Sequence, residues 1–115
     1  MLLTQLSAPD RFGIVALGEK QIVSTEEKPK GPQSNYAVVG CYMYDQKVFD
    51  LIDGIEPSAR GELEITAVNN LYVHCGELEY GFVEGRWTDA GTFESLEEAN
   101  HLLLGNQNPV FGPRG

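Results

Sequence analysis

The stretch YAVVGCYMY, residues 36–44, decides how the chain folds. It is apolar at odd and even positions alike and rich in strand formers, as expected of a strand covered on both faces. Just before it, KPKGPQSN (residues 28–35) cannot continue a ladder, because two prolines lack a donor and Gly31 loosens the chain. Upstream, Phe12–Leu17 and Ile22–Glu27 flank the turn Gly18-Glu19-Lys20 and predict a β-hairpin. Leu2–Leu6 reads as a short strand closed by SAPDR, residues 7–11. Downstream, a helical period takes over. Val48, Leu51 and Ile52 mark a short helix ended near Gly54, and Ile65, Val68, Leu71 and Tyr72 form one apolar stripe ended by Gly76. ELEYGFVEG (residues 77–85) returns to strand character. TFESLEEANHLLLG (residues 92–105) predicts a last helix with Phe93, Leu96, Ala99 and Leu103 on one face, Thr92 as N-cap and Gly105 as the stop.

The sum is a mixed α/β layer structure with more strand than helix, in one domain over residues 1–105, followed by a flexible tail over 106–115. The first strand begins at Met1 without a lead-in, and the 36–44 strand asks for cover on both faces. The sequence reads like a sheet entered halfway through.

At 115 residues and 42% apolar composition the chain can bury a core. Eight basic against seventeen acidic residues give a formal charge of −9, with no Lys/Arg cluster to neutralise phosphates. Electrostatic binding to nucleic acid or to an anionic membrane is thereby disfavoured, whereas a small phosphorylated ligand held by one or two cations is not. Neither a signal peptide nor a membrane span is apparent, which makes a cytoplasmic protein the expectation. Cys41 and Cys75 are expected to be buried, reduced thiols, and His74-Cys75 lacks the companion pair that a zinc site needs.

Few residues suggest chemistry on their own. Glu27 and Lys28 are adjacent at a strand end, so extended geometry points their side chains to opposite faces. They make either a solvated strand end or a ligand wall in which the acid meets hydroxyls and Lys28 meets a phosphate. In RWTDAGT (residues 86–92), Trp87 and Asp89 would share one face of a strand. They are either a core residue and a helix-entry residue, or an aromatic platform beside a carboxylate that suits a sugar. Arg60 and Glu62 sit in the charged approach SARGELEIT, residues 58–66. No Ser/His/Asp set is visible, and His74 and His101 fall on predicted helices without partners.

Four segments, RFGIVAL, EEKPKGPQSNYAVVGCYMYD, PSARGELEITAVNNLY and GRWTDAGTFESLEEAN, occur in this order with natural spacing. Together they resemble the C-terminal, sugar-phosphate-binding half of the sugar-nucleotide pyrophosphorylases, most closely those that use glucose 1-phosphate and a thymidine nucleotide. The resemblance runs from about Leu2 to Leu103. It implies the mixed-sheet portion of a Rossmann-like nucleotide-diphospho-sugar transferase fold, without the N-terminal nucleotide-binding half. It also implies a sugar-phosphate pocket. Gly13 matches the glycine whose backbone approaches the sugar, Glu27 the acid that bonds its hydroxyls, and Lys28 the lysine that reaches the phosphate. Val38 and Tyr42 match pocket-lining positions, Glu62 the acid of the GELEIT segment, and Trp87 the aromatic wall. Asp89 matches a carboxylate that holds Mg²⁺ together with a second aspartate, and that second aspartate is not in this chain.

The departures from the family pattern are specific. The nucleotide loop G-G-x-G-T-R-L has no counterpart here, Ala67 stands where the family commonly has an acid, and Ala90 where it often has threonine. The family reaction, attack of a sugar-1-phosphate oxygen on the α-phosphorus of a nucleoside triphosphate, is mostly positioning and charge neutralisation, so no general base is required. The expectation is an enzyme portion that binds a sugar 1-phosphate, is inactive alone and pairs with a separate N-terminal half. The alternative is a non-catalytic sugar-phosphate-binding or assembly module. Exposed sheet edges add the expectation of a homo-oligomer.

Overall fold

The computed structural model describes residues 1–105; the expected tail lies outside the described residues. Two compact units are formed, Met1–Val83 and a second beginning at Glu84. The first is an α/β unit around a mixed five-stranded sheet. Its strands are β1 (Leu2–Gln5), β2 (Gly13–Leu17), β3 (Ile22–Glu27), β4 (Tyr36–Val38) and β5 (Gly81–Phe82), in the order β3-β2-β4-β1-β5. All pairings are antiparallel except β1 with β5, which is parallel.

The β2–β3 hairpin forms where expected. Its turn is closed by the Gly18 amide donating to the Gln21 carbonyl at 2.8 Å. The predicted 36–44 strand is much shorter: only Tyr36–Val38 joins the ladder. Gly40, at φ +77°, turns the chain out of register, so Leu2 accepts from Val39 but donates to Cys41. Two-sided cover ends there too, because Cys41 and Met43 are exposed, Met43 at 93%. The predicted 77–85 strand likewise contracts to Gly81–Phe82, held to β1 by the Gly81 and Val83 amides.

Helix α1 (Val48–Asp53) ends at Gly54, and helix α2 (Ile65–His74) ends before Gly76 at φ +70°, as predicted. The buried face of α2 is not the predicted stripe. Val68 and Tyr72 are buried, but Ile65 and Leu71 are exposed, and Thr66 and Asn69 are buried instead. Hydrogen bonds to the sheet account for the rotation. The Asn70 amide donates to the Thr25 carbonyl at 2.8 Å and accepts the Thr25 amide at 2.9 Å, which fixes α2 on β3 with a polar face inward. Two apolar clusters complete the unit. One is Leu3, Val15 and Ile22; the other is Val48, Val68 and Tyr72.

The second unit carries helix α3 (Phe93–Gly105). Thr92 caps it as predicted: its hydroxyl accepts the Ser95 amide at 3.1 Å, and the Ser95 hydroxyl accepts the Thr92 amide at 3.0 Å. The predicted apolar face is open, with Phe93, Leu96 and Leu103 exposed. Among the described residues α3 is the only regular element of this unit.

Candidate functional site

In the first unit, three strands and one helix converge at one end of the sheet. Gly13 opens β2 directly opposite Glu27, the last residue of β3. A methyl group at Gly13 would stand 3.3 Å from a Glu27 carboxylate oxygen and 3.7 Å from Val38. Only a residue without a side chain therefore leaves this junction open. From α2, the buried Thr66 hydroxyl donates to Glu27 Oε2 at 2.7 Å. Just beyond the break at Gly40 that follows β4, Tyr42 lies half-buried within the field of the Glu27 carboxylate. Its ring stacks on Tyr44 with centroids 5.8 Å apart and planes 17° apart. The Tyr44 hydroxyl donates to Asn69 Oδ1 at 2.6 Å.

Lys28 follows Glu27 with φ +43°, a left-handed conformation that costs a residue bearing a side chain about 1–2 kcal/mol. Its amide donates to the Phe12 carbonyl at 3.1 Å, which pins the turn. The expected alternation of Glu27 and Lys28 across a strand does not hold, because β3 ends at Glu27 and the backbone reverses its course at Lys28. The Lys28 ammonium makes no ion pair among the described residues.

Gly13, Glu27, Val38 and Tyr42 are thus neighbours, with Lys28 adjoining by sequence. Glu62 is placed differently. Arg60 engages its carboxylate at 2.9 Å and reaches Glu64 at 3.2 Å, so these charges satisfy one another in the turn before α2. In the second unit, Trp87 and Asp89 are half-buried but on no strand, and the expected shared strand face does not arise. Asp89 Oδ2 accepts the Gly91 amide at 3.2 Å, and a methyl group at Gly91 would press to 2.9 Å from that oxygen.

Among the described residues, no three His, Cys, Asp or Glu side chains gather in a way that could hold a metal ion. Asp89 fits the role of a single hard-oxygen ligand, which is the share of a Mg²⁺ shell that one carboxylate supplies. Both histidines are committed to their own helices, His74 to the Asn70 carbonyl and His101 to the Glu97 carbonyl. Cys41 and Cys75 are exposed, not buried. Cys41 follows the break at Gly40, and Cys75 is the C-cap residue of α2, so neither occupies an inward position of a regular element.

A separate groove of about 910 Å³ lies in the first unit, lined in part by Met1, Tyr42, Tyr44, Lys47, Tyr72 and Tyr80. Gly13, Glu27 and Val38 are not in its wall, whereas Tyr42, which feels the Glu27 charge, is. On its rim the Tyr72 hydroxyl donates to Asp45 at 2.6 Å, and Lys47 bridges to Glu77 at 2.7 Å. Tyr72 is pushed up to about 12, chiefly by that bond to the Asp45 carboxylate, and Tyr44 to about 12, chiefly by burial. Burial first, then the Glu27 charge, raises Tyr42 as well, against the opposing bond from Asn69.

These shifts give a pH prediction. The folded protein keeps the phenols protonated above the value near 10 that they take when unfolded. Their contribution to stability is therefore complete below about pH 10 and declines as pH rises toward 12. Titration at 295 nm should show a late-ionising class of tyrosines, with urea stability falling over the same range. All five tyrosines ionising together near 10 would contradict this.

Thr66, Asn69 and Asn70 were not anticipated. The available signal was the run of polar residues inside an otherwise apolar helical period, ITAVNN, residues 65–70.

Residues 1–106 match the family model described as nucleotidyl transferase. The chain belongs to that family. Nucleotidyl transferases named glucose-1-phosphate thymidylyltransferase are among its relatives. The protein from Neisseria meningitidis serogroup A is 44% identical over 108 residues, covering 90% of this chain and 37% of that protein. The protein from Mycobacterium tuberculosis H37Rv is 46% identical over 94 residues, covering 79% of this chain and 33% of the relative. A solved nucleotidyl transferase structure agrees: a Bacillus anthracis protein assigned as a glucose-1-phosphate thymidylyltransferase, in complex with a sucrose. It superposes with a TM-score of 0.83 at 50% identity, covering 96% of this chain and 44% of that one. The chain spans about a third of the length of the curated nucleotidyl transferases it matches.

Proposed function

We propose that this chain is the sugar-phosphate-binding, C-terminal part of a nucleotidyl transferase that makes a nucleotide-sugar of the dTDP-glucose type. In the whole enzyme an oxygen of the sugar 1-phosphate attacks the α-phosphorus of the nucleoside triphosphate. A P–O bond forms there, the bond to the β-phosphate oxygen breaks, and pyrophosphate leaves. Residues 1–105 form one portion of the Rossmann-like catalytic fold, inactive without the N-terminal half that brings the nucleotide loop. The observation that carries this reading is the Glu27 carboxylate, held through one oxygen by Thr66 beside the side-chain-free Gly13. A buried hydroxyl that fixes one oxygen leaves the other to accept from sugar hydroxyls.

The family resemblance supports the following roles. Gly13 admits the sugar, Glu27 accepts from its hydroxyls, and Val38 and Tyr42 line its apolar side. Lys28 meets the phosphate as a point charge. Trp87 supplies an aromatic wall and Glu62 a further acid. Asp89 would hold Mg²⁺ with a second aspartate from the N-terminal half; when bound, the ion would neutralise phosphate charge. The setting is cytoplasmic, and no described helix is long and apolar enough to cross a membrane. Edge strands β3 and β5 and the open side chains of Val23, Met43 and Phe49 support self-association of this chain, to be read by sedimentation.

The test has two stages. Calorimetric titration with glucose 1-phosphate should show binding in the millimolar range or tighter, lost in Lys28→Ala and in Trp87→Ala. No heat at millimolar ligand would overturn the pocket. Adding the N-terminal half in trans with Mg²⁺ should restore synthesis of the nucleotide-sugar. Binding without restored synthesis by a well-folded pair would favour the non-catalytic binding module instead.

A further inference from the structure

We infer that Asn69 is a positioning residue, which holds the Tyr42 ring against the Glu27 end of the pocket by gripping the stacked Tyr42–Tyr44 pair from beneath. This rests on the functional reading above. Asn69 is 1% exposed, among the most buried side chains of the protein, and lies in a helix face where an apolar residue would pack at no polar cost. Its Oδ1 accepts the Tyr44 hydroxyl at 2.6 Å, and the Tyr44 ring stacks on Tyr42 with centroids 5.8 Å apart, so Asn69 acts on Tyr42 through Tyr44. Tyr44 in turn lies nearly parallel to Tyr42 and meets the Tyr72 ring at 5.5 Å.

Position along α2 makes the arrangement coherent. Thr66, one turn before Asn69, orients the Glu27 carboxylate, and Asn70 ties the same helix to Thr25 of β3. Thr66 and Asn69 are three residues apart and share a helix face. One rigid surface therefore sets both the acid and the aromatic ring, and the strap 39–45, which belongs to no strand, gains its fixed point there. Without Asn69, Tyr42 would lie on a segment that leaves the sheet at Gly40 with no ladder bonds of its own beyond Cys41.

A double-mutant cycle tests this, on the full chain, with glucose 1-phosphate as the probe. Asn69→Leu and Tyr44→Phe should each weaken binding about three- to tenfold. The double variant should be no weaker than the worse single one, since both remove the same constraint. Tyrosine 13Cζ NMR should show the Tyr42 resonance moving toward the free-phenol position in Asn69→Leu. Should Asn69→Leu fail to fold, Tyr44→Phe removes the same bond from its other side while keeping the ring. It should give the same displacement of Tyr42. An unmoved Tyr42 resonance in the folded variant, or additive losses in the cycle, would overturn the role of Asn69. A moved Tyr42 resonance in a protein that binds no glucose 1-phosphate would support the positioning role and overturn the sugar-phosphate reading.

Discussion

Lys28→Gly should leave the protein at least as stable as the wild type while removing most of the proposed affinity for a sugar 1-phosphate. The two effects have separate origins. At φ +43° a lysine pays the left-handed strain of about 1–2 kcal/mol, and the following Pro29 restricts that position further. Glycine adopts the conformation freely at an entropic cost of about 0.5–1 kcal/mol, so the net change is zero to about 1.5 kcal/mol of added stability. Loss of the ammonium removes a charge-assisted bond to phosphate, on the order of 1.5–3 kcal/mol, or roughly a 10- to 150-fold drop in affinity. Urea unfolding and calorimetric titration of one preparation measure both. Loss of stability by more than about 1 kcal/mol would mean that the lysine stem packs structurally, and the strain argument would fail.

Leu3→Ala should cost about 2–5 kcal/mol, a large part of the roughly 5–15 kcal/mol that holds a domain together. Leu3 is fully buried on β1, which pairs with both β4 and β5, and it packs with Val15 and Ile22. Few large side chains in this protein are so completely enclosed, so there is little neighbouring core to collapse into the cavity. Leu3 also pairs across the ladder with Val38, and the same change should therefore loosen the proposed sugar pocket. Phe93→Ala, at a position 90% exposed, should shift the urea midpoint by less than about 0.5 kcal/mol equivalent. A Leu3→Ala midpoint equal to that of Phe93→Ala would show that the Leu3 cluster is not the stabilising core.

Where the sequence was read correctly, a local cause was sufficient. The hairpin around Gly18, the stops at Gly54 and Gly76 and the cap at Thr92 each depend on two or three adjacent residues. Where the structure departs from the reading, the cause is a single backbone torsion or a distant contact. The 36–44 run has the composition of a long inner strand, but a single positive φ at Gly40 redirects it, and composition carries no record of that torsion. The stripe Ile65–Leu71 obeys helical period, yet Asn70 binding Thr25, 45 residues away, rotates the helix and turns a polar face inward. The site divides in the same manner. Gly13 opposite Glu27 follows from hairpin register, whereas Thr66 meeting Glu27 depends on how a helix docks. For Glu62, given a sugar-site role by the resemblance, the fold adds an ion pair with Arg60 at 2.9 Å, an attraction between neighbours that spacing alone does not rank.

The open thiols of Cys41 and Cys75 bear on how this molecule must be handled. Two accessible sulfurs per chain allow air to link molecules covalently, and such a ladder of disulfide-joined species would pass in a centrifuge for association through strand edges. Only a mass obtained with reductant present, and unchanged after alkylation, counts toward the proposed self-association. Alkylation is itself informative, because Cys41 adjoins Tyr42 and lines the groove beside it: an adduct there should displace Tyr42 and so weaken the proposed sugar binding, whereas one at Cys75, the C-cap of α2, should not.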